Sequence, residues 1–182
     1  MPKKYITTSY KSRWRSHRGS TTTRSSGQTQ KLGENLAKEL LKSGDAGLRR
    51  GTGAVVLALQ GNLGGGKTTF LQGFAKGLGI KEKILSPTFV IQKRFKIPPV
   101  VKNVRSHIFH DGHFYHIDCY RINKPAEILE LGFAEIISNP KNIVAVEWPE
   151  KIEKVLPKNI MKIDFKFIGK DKREINFSNR PC

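Results

Sequence analysis

The sequence predicts an α/β fold, a three-layer sandwich around a mostly parallel central sheet, with a disordered basic N-terminal arm. Three observations predict it. AVVLAL (54–59) and NIVAVEWP (142–149) are β-branched and apolar on both faces, as strands buried centrally in a parallel sheet must be. A glycine-rich loop joins the first of them directly to an amphipathic stretch of helical period. The length, 182 residues, suits one domain with a real core plus tails and is short for two.

Taken in order, residues 1–27 are Lys/Arg/Ser/Thr with little to bury and read as the arm, leaving 28–182 as the domain. In TQKLGENLAKELLKS, Leu32, Leu36, Leu40 and Leu41 recur at helical spacing, and Ser43-Gly44-Asp45 ends the helix. After the first buried strand and the glycine loop, KTTFLQGFAKGLG sets Phe70, Leu71, Phe74 and Leu78 on one side and stops at Gly79. FVIQKRFKI (89–97) alternates as a strand and ends at Pro98-Pro99. Residues 103–120 read as a hairpin turning at Asp111-Gly112, so 96–118 contains an extended, protruding hairpin. KPAEILELGFAEIIS reads as one or two short helices opened by Pro125, and Pro149 closes the second buried strand. NIMKIDFKFIG and REINF supply two final strands.

The formal net charge is +18, and residues 1–26 hold seven of the lysines and arginines with no acid. The remainder keeps 26 bases against 15 acids, a net +11, so the body is basic as well. Such a field attracts polyanions such as tRNA, or an acidic partner, and equally suits a surface kept soluble by charge. Trp14 between Arg13 and Arg15 has the chemistry to stack on an RNA base, or is an incidental aromatic of a basic tail. No apolar run approaches the roughly 18 residues of a membrane span. Cys119 and Cys182 imply no disulfide framework, and a cytoplasmic location is expected; the acid-free, Ser/Thr/Arg-rich start shares the composition of an organellar transit segment, which makes an organelle the alternative.

The loop carries the chemistry. Gly61, four residues, then Gly66-Lys67-Thr68 fits G-x-x-x-x-G-K-[ST] in the required context between a buried strand and a helix. A nucleotide's β-phosphate is wrapped by successive backbone N–H groups at a helix N-terminus, and side chains there collide with the turn or the phosphate. Glycines at 61, 64, 65 and 66 clear that space. Lys67 then offers charge to the β- and γ-phosphates, Thr68 a hydroxyl to Mg²⁺, and Thr69 reaches the α-phosphate. The fold is therefore expected to be P-loop NTPase-like, with ATP and Mg²⁺ as cofactors. Glu147, delivered by IVAV to the carboxyl end of its strand, is the expected acid beside the metal. Asp118, after FYHI, is a second such carboxylate, either positioning metal or water or capping a turn. No N-K-x-D follows the cradle, which favours adenine over guanine. His107, His110, His113 and His116 recur every third residue with Cys119 continuing the series; a turn at Asp111-Gly112 would send the paired histidines to opposite faces, so four ligands do not converge, and a two-histidine site with Asp118 stands beside simple packing.

With the spacing between them, GNLGGGKTTFLQGFAKGLG, SPTF (86–89), FYHIDCYR (114–121), EILELGFAEI (127–136) and VEWPEKIEKVLP (146–157) closely resemble the TsaE (YjeE) family from about Thr29 to the chain end. The resemblance implies a small P-loop ATPase of the bacterial tRNA threonylcarbamoyladenosine pathway, which docks on the TsaB–TsaD heterodimer and resets it by hydrolysing ATP between rounds of modifying adenosine 37. It further implies that Thr68 and Glu147 hold Mg²⁺, that Asp118 is required for hydrolysis and that Trp148 serves activity or the partner contact. Ser86 and Thr88 would form a loop beside the γ-phosphate, and Thr29 would lie near the adenine. The arm and the stretch 96–112 are longer than the family needs. Two other classes compete: a small-molecule phosphotransferase, for which Arg94 and Arg121 are the nearby lid candidates, and a basic RNA-binding protein.

Overall fold

Val55 to Leu59 offers water no polar side chain on either face, and it forms the middle of the sheet. The computed structural model describes residues 18–43, 53–87, 90–99, 109 and 111–180. Among them seven strands form one sheet in the order β1-β7-β6-β2-β5-β4-β3. These are β1 (Arg18–Thr23), β2 (Val55–Gly61), β3 (Gln92–Lys96), β4 (His113–Asp118), β5 (Ile143–Glu147), β6 (Ile160–Gly169) and β7 (Lys172–Arg180). The central four, β6-β2-β5-β4, run parallel. Antiparallel pairs extend the sheet at both sides, β6-β7-β1 and β4-β3.

Alternation along β2 sends Val55, Leu57 and Leu59 to one face, where they pack with α1 (Ser26–Ser43) and α2 (Lys67–Gly77). Val56 and Ala58 face the other way, toward α3 (Pro125–Glu130), α4 (Phe133–Ser138) and the 3₁₀ turn Pro149–Val155. The result is the three-layer sandwich read from the sequence. The two helices of the first face approach unusually closely, because glycines meet backbone. A Cβ on Gly73 would lie 1.8 Å from the Gln30 carbonyl oxygen, and one on Gly77 would lie 2.5 Å from that of Glu34. This contact carries the N-terminus of α1 to the N-terminus of α2.

Two expectations change. Residues 18–23, assigned to the disordered arm, pair with β7 from Arg18↔Ser178 to Thr23↔Arg173. RGSTTT has no hydrophobic alternation; its strand is held by the backbone ladder, by β-branched threonines and by the buried Thr23. The helix likewise starts at Ser26, ahead of the TQKLG segment from Thr29 that signals it in the sequence. The Gln28 N–H donates to Ser25 Oγ at 3.2 Å, the cap that S-x-x-Q suggests, while Gln28 Oε1 accepts the N–H of Arg24, one residue before the cap, at 2.7 Å. The arm proper, with Trp14, Arg13 and Arg15, lies outside the described residues.

The second change concerns β4. Its partner is β3, with Lys96↔His113 and Lys93↔His116, rather than residues 103–110. The Gly112 N–H donates to the Phe109 carbonyl at 3.0 Å, so a turn does close at Asp111-Gly112, and the Ile97 N–H donates to the Gly112 carbonyl at 3.0 Å, which leads the chain out of that turn into the β3–β4 ladder. His113 and His116 thus face Lys96 and Lys93 across the ladder; His107 and His110, their expected partners, lie outside the described residues, as do 100–106 and 108. Among the described residues no cluster of three or more His, Cys, Asp and Glu could hold a metal. None of the described helices is long and apolar enough to cross a membrane.

Two predictions follow from this packing. Gly73→Ala gains helix propensity but drives a methyl into a backbone carbonyl, and should destabilise by about 1–3 kcal/mol in urea unfolding. Gly27→Ala, whose nearest neighbour would be Ser25 Oγ at 3.9 Å, should stabilise by about 0.5 kcal/mol. Equal stability of the two variants would contradict the close crossing. Cys119 is fully buried, and burial first, then Asp118 and Glu150, push its thiol up to about 12. In a Cys182→Ser background the native protein should resist a thiol reagent at pH 8 and react rapidly once unfolded; fast native labelling would show this core to be open.

Candidate functional site

Parallel register decides what meets at the carboxyl edge of the sheet. Leu59 of β2 and Asp118 of β4 both pair with Glu147 of β5, so the two carboxylates share one level. Gly61, two residues beyond Leu59, starts the glycine loop at the same edge. Directly paired and i+2 residues point to one side, so His116, Asp118 and Glu147 all face the α1–α2 layer, where α2 begins.

The loop's backbone explains its glycines. Gly61 has φ +139, and a Cβ there would lie 2.4 Å from the Phe165 carbonyl oxygen. Gly66 has φ +99 and immediately precedes α2, whose start no side chain caps. The first-turn amides of a helix have no intrahelical acceptor, and here they open onto the cleft. Lys67 is 4% exposed; its Nζ donates to the carbonyls of Gly61 at 2.7 Å and Asn62 at 3.1 Å, and sits 4.5 Å from the centre of the Trp148 ring. Burial pulls this ammonium below the usual lysine range, while Glu147, Asp118 and Glu150 pull it back up. A cation so held is a ready donor for an arriving anion.

At the acid end, Glu147 Oε1 accepts the Thr68 hydroxyl at 3.1 Å and lies 2.8 Å from His116 Nε2. Asp118 Oδ2 accepts the Ser86 hydroxyl at 2.8 Å, and Oδ1 accepts the Tyr120 N–H at 3.0 Å. Both carboxylates are buried. Trp148 follows Glu147 with φ 59, a left-handed conformation costly for a bulky residue, and its ring packs on Tyr120 with centroids 5.2 Å apart.

A cleft of about 560 Å³ connects these groups. Gly64, Gly65, Gly66, Lys67, Thr68 and Thr69 form its floor, and Ser86, Asp118, Glu147 and Trp148 form one end. Gly61 stands behind the floor as a carbonyl for Lys67. Thr29 is at the other end, but its hydroxyl is engaged with Thr23 Oγ1 at 2.8 Å and with the Ser25 carbonyl at 3.2 Å. It is the methyl of Thr29 that approaches Gly66. Thr88 lies outside the described residues. Arg94 and Arg121 are absent from the cleft lining; the arginine that lines it is Arg173, stacked 4.6 Å over Phe167 and beside Gly66. No sequence signal pointed to Arg173, which arrives through the β1–β7 pairing, nor to His116 as a partner of Glu147. Ser25 was detectable through its capping pattern.

The arrangement fits a phosphate chain with a divalent cation. The glycine run of the floor carries no side-chain bulk, Lys67 hydrogen-bonds to two loop carbonyls, and a hydroxyl–carboxylate pair supplies the hard oxygen donors that Mg²⁺ prefers.

The family model described as "Threonylcarbamoyl adenosine biosynthesis protein TsaE" matches residues 23–175. The tRNA threonylcarbamoyladenosine biosynthesis protein TsaE of Bacillus subtilis (strain 168) is 40% identical over 125 residues, 68% of this chain and 68% of its own length. The protein of that name from Rickettsia bellii (strain RML369-C) is 35% identical over 127 residues, 68% of this chain and 77% of its own. The crystal structure of Bacillus subtilis YdiB superposes with a TM-score of 0.63 at 29% identity, covering 90% of this chain and 86% of that one. Sequence, fold and the disposition of the glycine loop agree: this chain belongs to the TsaE family.

Proposed function

We propose that the cleft binds ATP with Mg²⁺ and hydrolyses it, and that this hydrolysis serves tRNA threonylcarbamoyladenosine biosynthesis in a complex with TsaB and TsaD. The observation that carries the reading is the convergence, at one sheet edge, of the glycine loop, the buried Lys67 and the Thr68–Glu147 pair. The phosphates would lie on the loop amides. Lys67 would exchange the carbonyls of Gly61 and Asn62 for phosphate oxygens, a trade of neutral acceptors for charged ones. Thr68 and Glu147 would hold the cation, which when bound offsets charge on the transferring phosphoryl group. Asp118, fixed by Ser86 and the Tyr120 amide, would orient the attacking water. Catalysis is then positioning and charge neutralisation.

Dependence on partners is supported by the rim. Leu63 at the loop tip is 79% exposed, and Leu85, Val90 and Tyr120 are exposed large apolar residues close in sequence to Ser86 and Asp118. Efficient phosphoryl transfer favours a site closed to water. A docked protein would supply the closure.

In a reconstitution with TsaB and TsaD, Lys67→Ala should abolish ATP binding and hydrolysis together. Glu147→Ala should still bind ATP but turn over about 100-fold more slowly. Wild-type hydrolysis by the Glu147 variant would remove that carboxylate from the reaction, and rates indifferent to TsaB and TsaD would remove the partner requirement.

A further inference from the structure

His116 is a polar residue where the sheet calls for an apolar one. It lies in β4 between Tyr115 and Ile117, its side chain is fully buried, and it shares a face with Phe114 and, on the adjoining strand, Ala145. Burying an imidazole among such groups costs free energy unless its nitrogens are paired. Only one is. Nε2 lies 2.8 Å from Glu147 Oε1, while Nδ1 is buried without a partner. A carboxylate oxygen only accepts, so the hydrogen of this bond belongs to Nε2.

The bond acts on a single oxygen of Glu147. Thr68 Oγ1 donates to the same Oε1, at 3.1 Å, and no hydrogen bond among the described residues ends on Oε2. A glutamate has three side-chain torsions, and two donors from different elements, β4 and α2, remove most of that freedom. Thr68 is itself a candidate for the cation, so it cannot serve as a fixed anchor. His116, locked in the sheet with no exposure, can.

We propose that His116 is the positioning residue for Glu147: its Nε2–H pins Oε1, so that the carboxylate meets the cation of the bound nucleotide in one orientation with Oε2 forward. The proposal rests on the nucleotide–Mg²⁺ reading above and adds a residue that touches neither ligand. Groups that orient a metal-binding side chain in this way carry a large share of metal affinity, because a mobile ligand must be ordered anew at each binding event.

The test is calorimetric titration of ATP into the full chain, with Mg²⁺ and with EDTA, for the wild type, His116→Leu, His116→Gln and His116→Asn. Glutamine places an amide N–H near the position of Nε2, whereas asparagine places one near Nδ1, short of Glu147. The Mg²⁺-dependent gain in ATP affinity should fall about 10–100-fold in His116→Leu and His116→Asn, with affinity in EDTA unchanged, and His116→Gln should recover most of it. Should the leucine variant fail to fold, the glutamine and asparagine pair decides. Equal Mg²⁺ dependence in all variants overturns the role of His116, and so does a loss of affinity shared by the Mg²⁺ and EDTA titrations, which marks general damage to the site. A wild type that binds ATP without any response to Mg²⁺ overturns the underlying cation reading, and this proposal with it.

Discussion

The register of β2, β5 and β4 is the constraint on which the site depends. Leu59, Glu147 and Asp118 stand at one level across three parallel strands, and the glycine loop leaves two residues later. Side chains alternate along a strand, so a slip by one residue would turn both carboxylates to the opposite face, away from α2. What prevents the slip is the apolar filling. Val55, Leu57 and Leu59 belong to one buried cluster and Val56 and Ala58 to the other, so both faces of the strand are held by packing of defined shape. Chemistry at the edge is thus secured by packing in the middle.

A second constraint sets the width of the cleft. Gly73 and Gly77 let α1 lie backbone to backbone on α2, which brings Ser25, Ser26 and Thr29 to the loop. The bond between Thr23 and Thr29 then ties α1 to β1, and β1 to β7, from which Arg173 reaches the cleft. The cleft has one wall made by the parallel sheet and another made by these antiparallel additions. Stability is given up within it. Lys67, Asp118, Glu147 and His116 are all buried polar groups, and Trp148 is held in a conformation that bulky residues avoid. Such features persist where the surrounding fold over-determines them, and they cluster where ligands act.

The parts of this legible in sequence share a trait: the signal was local and strong. The spacing from Gly61 to Thr68, the buried runs before Gly61 and Glu147, and the helical pattern of Phe70, Leu71, Phe74 and Leu78 each lie within about one element, as periodicity arguments require. The misses share the opposite trait. β1 is a polar edge strand stabilised by its ladder to β7, and a propensity reading of RGSTTT has nothing apolar to follow. Asp111-Gly112 does sit in a turn, but the strand that follows it pairs with Gln92–Lys96, a partner distant in sequence that no local turn signal names. Arg173 and His116 become site residues only through contacts between elements distant in sequence, Thr23↔Arg173 in one case and β4 beside β5 in the other. Thr29 lines the cleft with its hydroxyl turned to Thr23, a choice of rotamer that no sequence encodes visibly.

The proposed function requires that the loop from Gly61 to Thr69 close on the phosphates of a nucleotide beside a cation held by Thr68 and Glu147. A crystal structure of the chain with Mg²⁺ and a non-hydrolysable ATP analogue tests it most directly. The expected result is phosphate density over the loop amides, with Lys67 Nζ moved from the Gly61 and Asn62 carbonyls onto phosphate oxygens. An analogue bound elsewhere, with Lys67 still on its own loop, would contradict it.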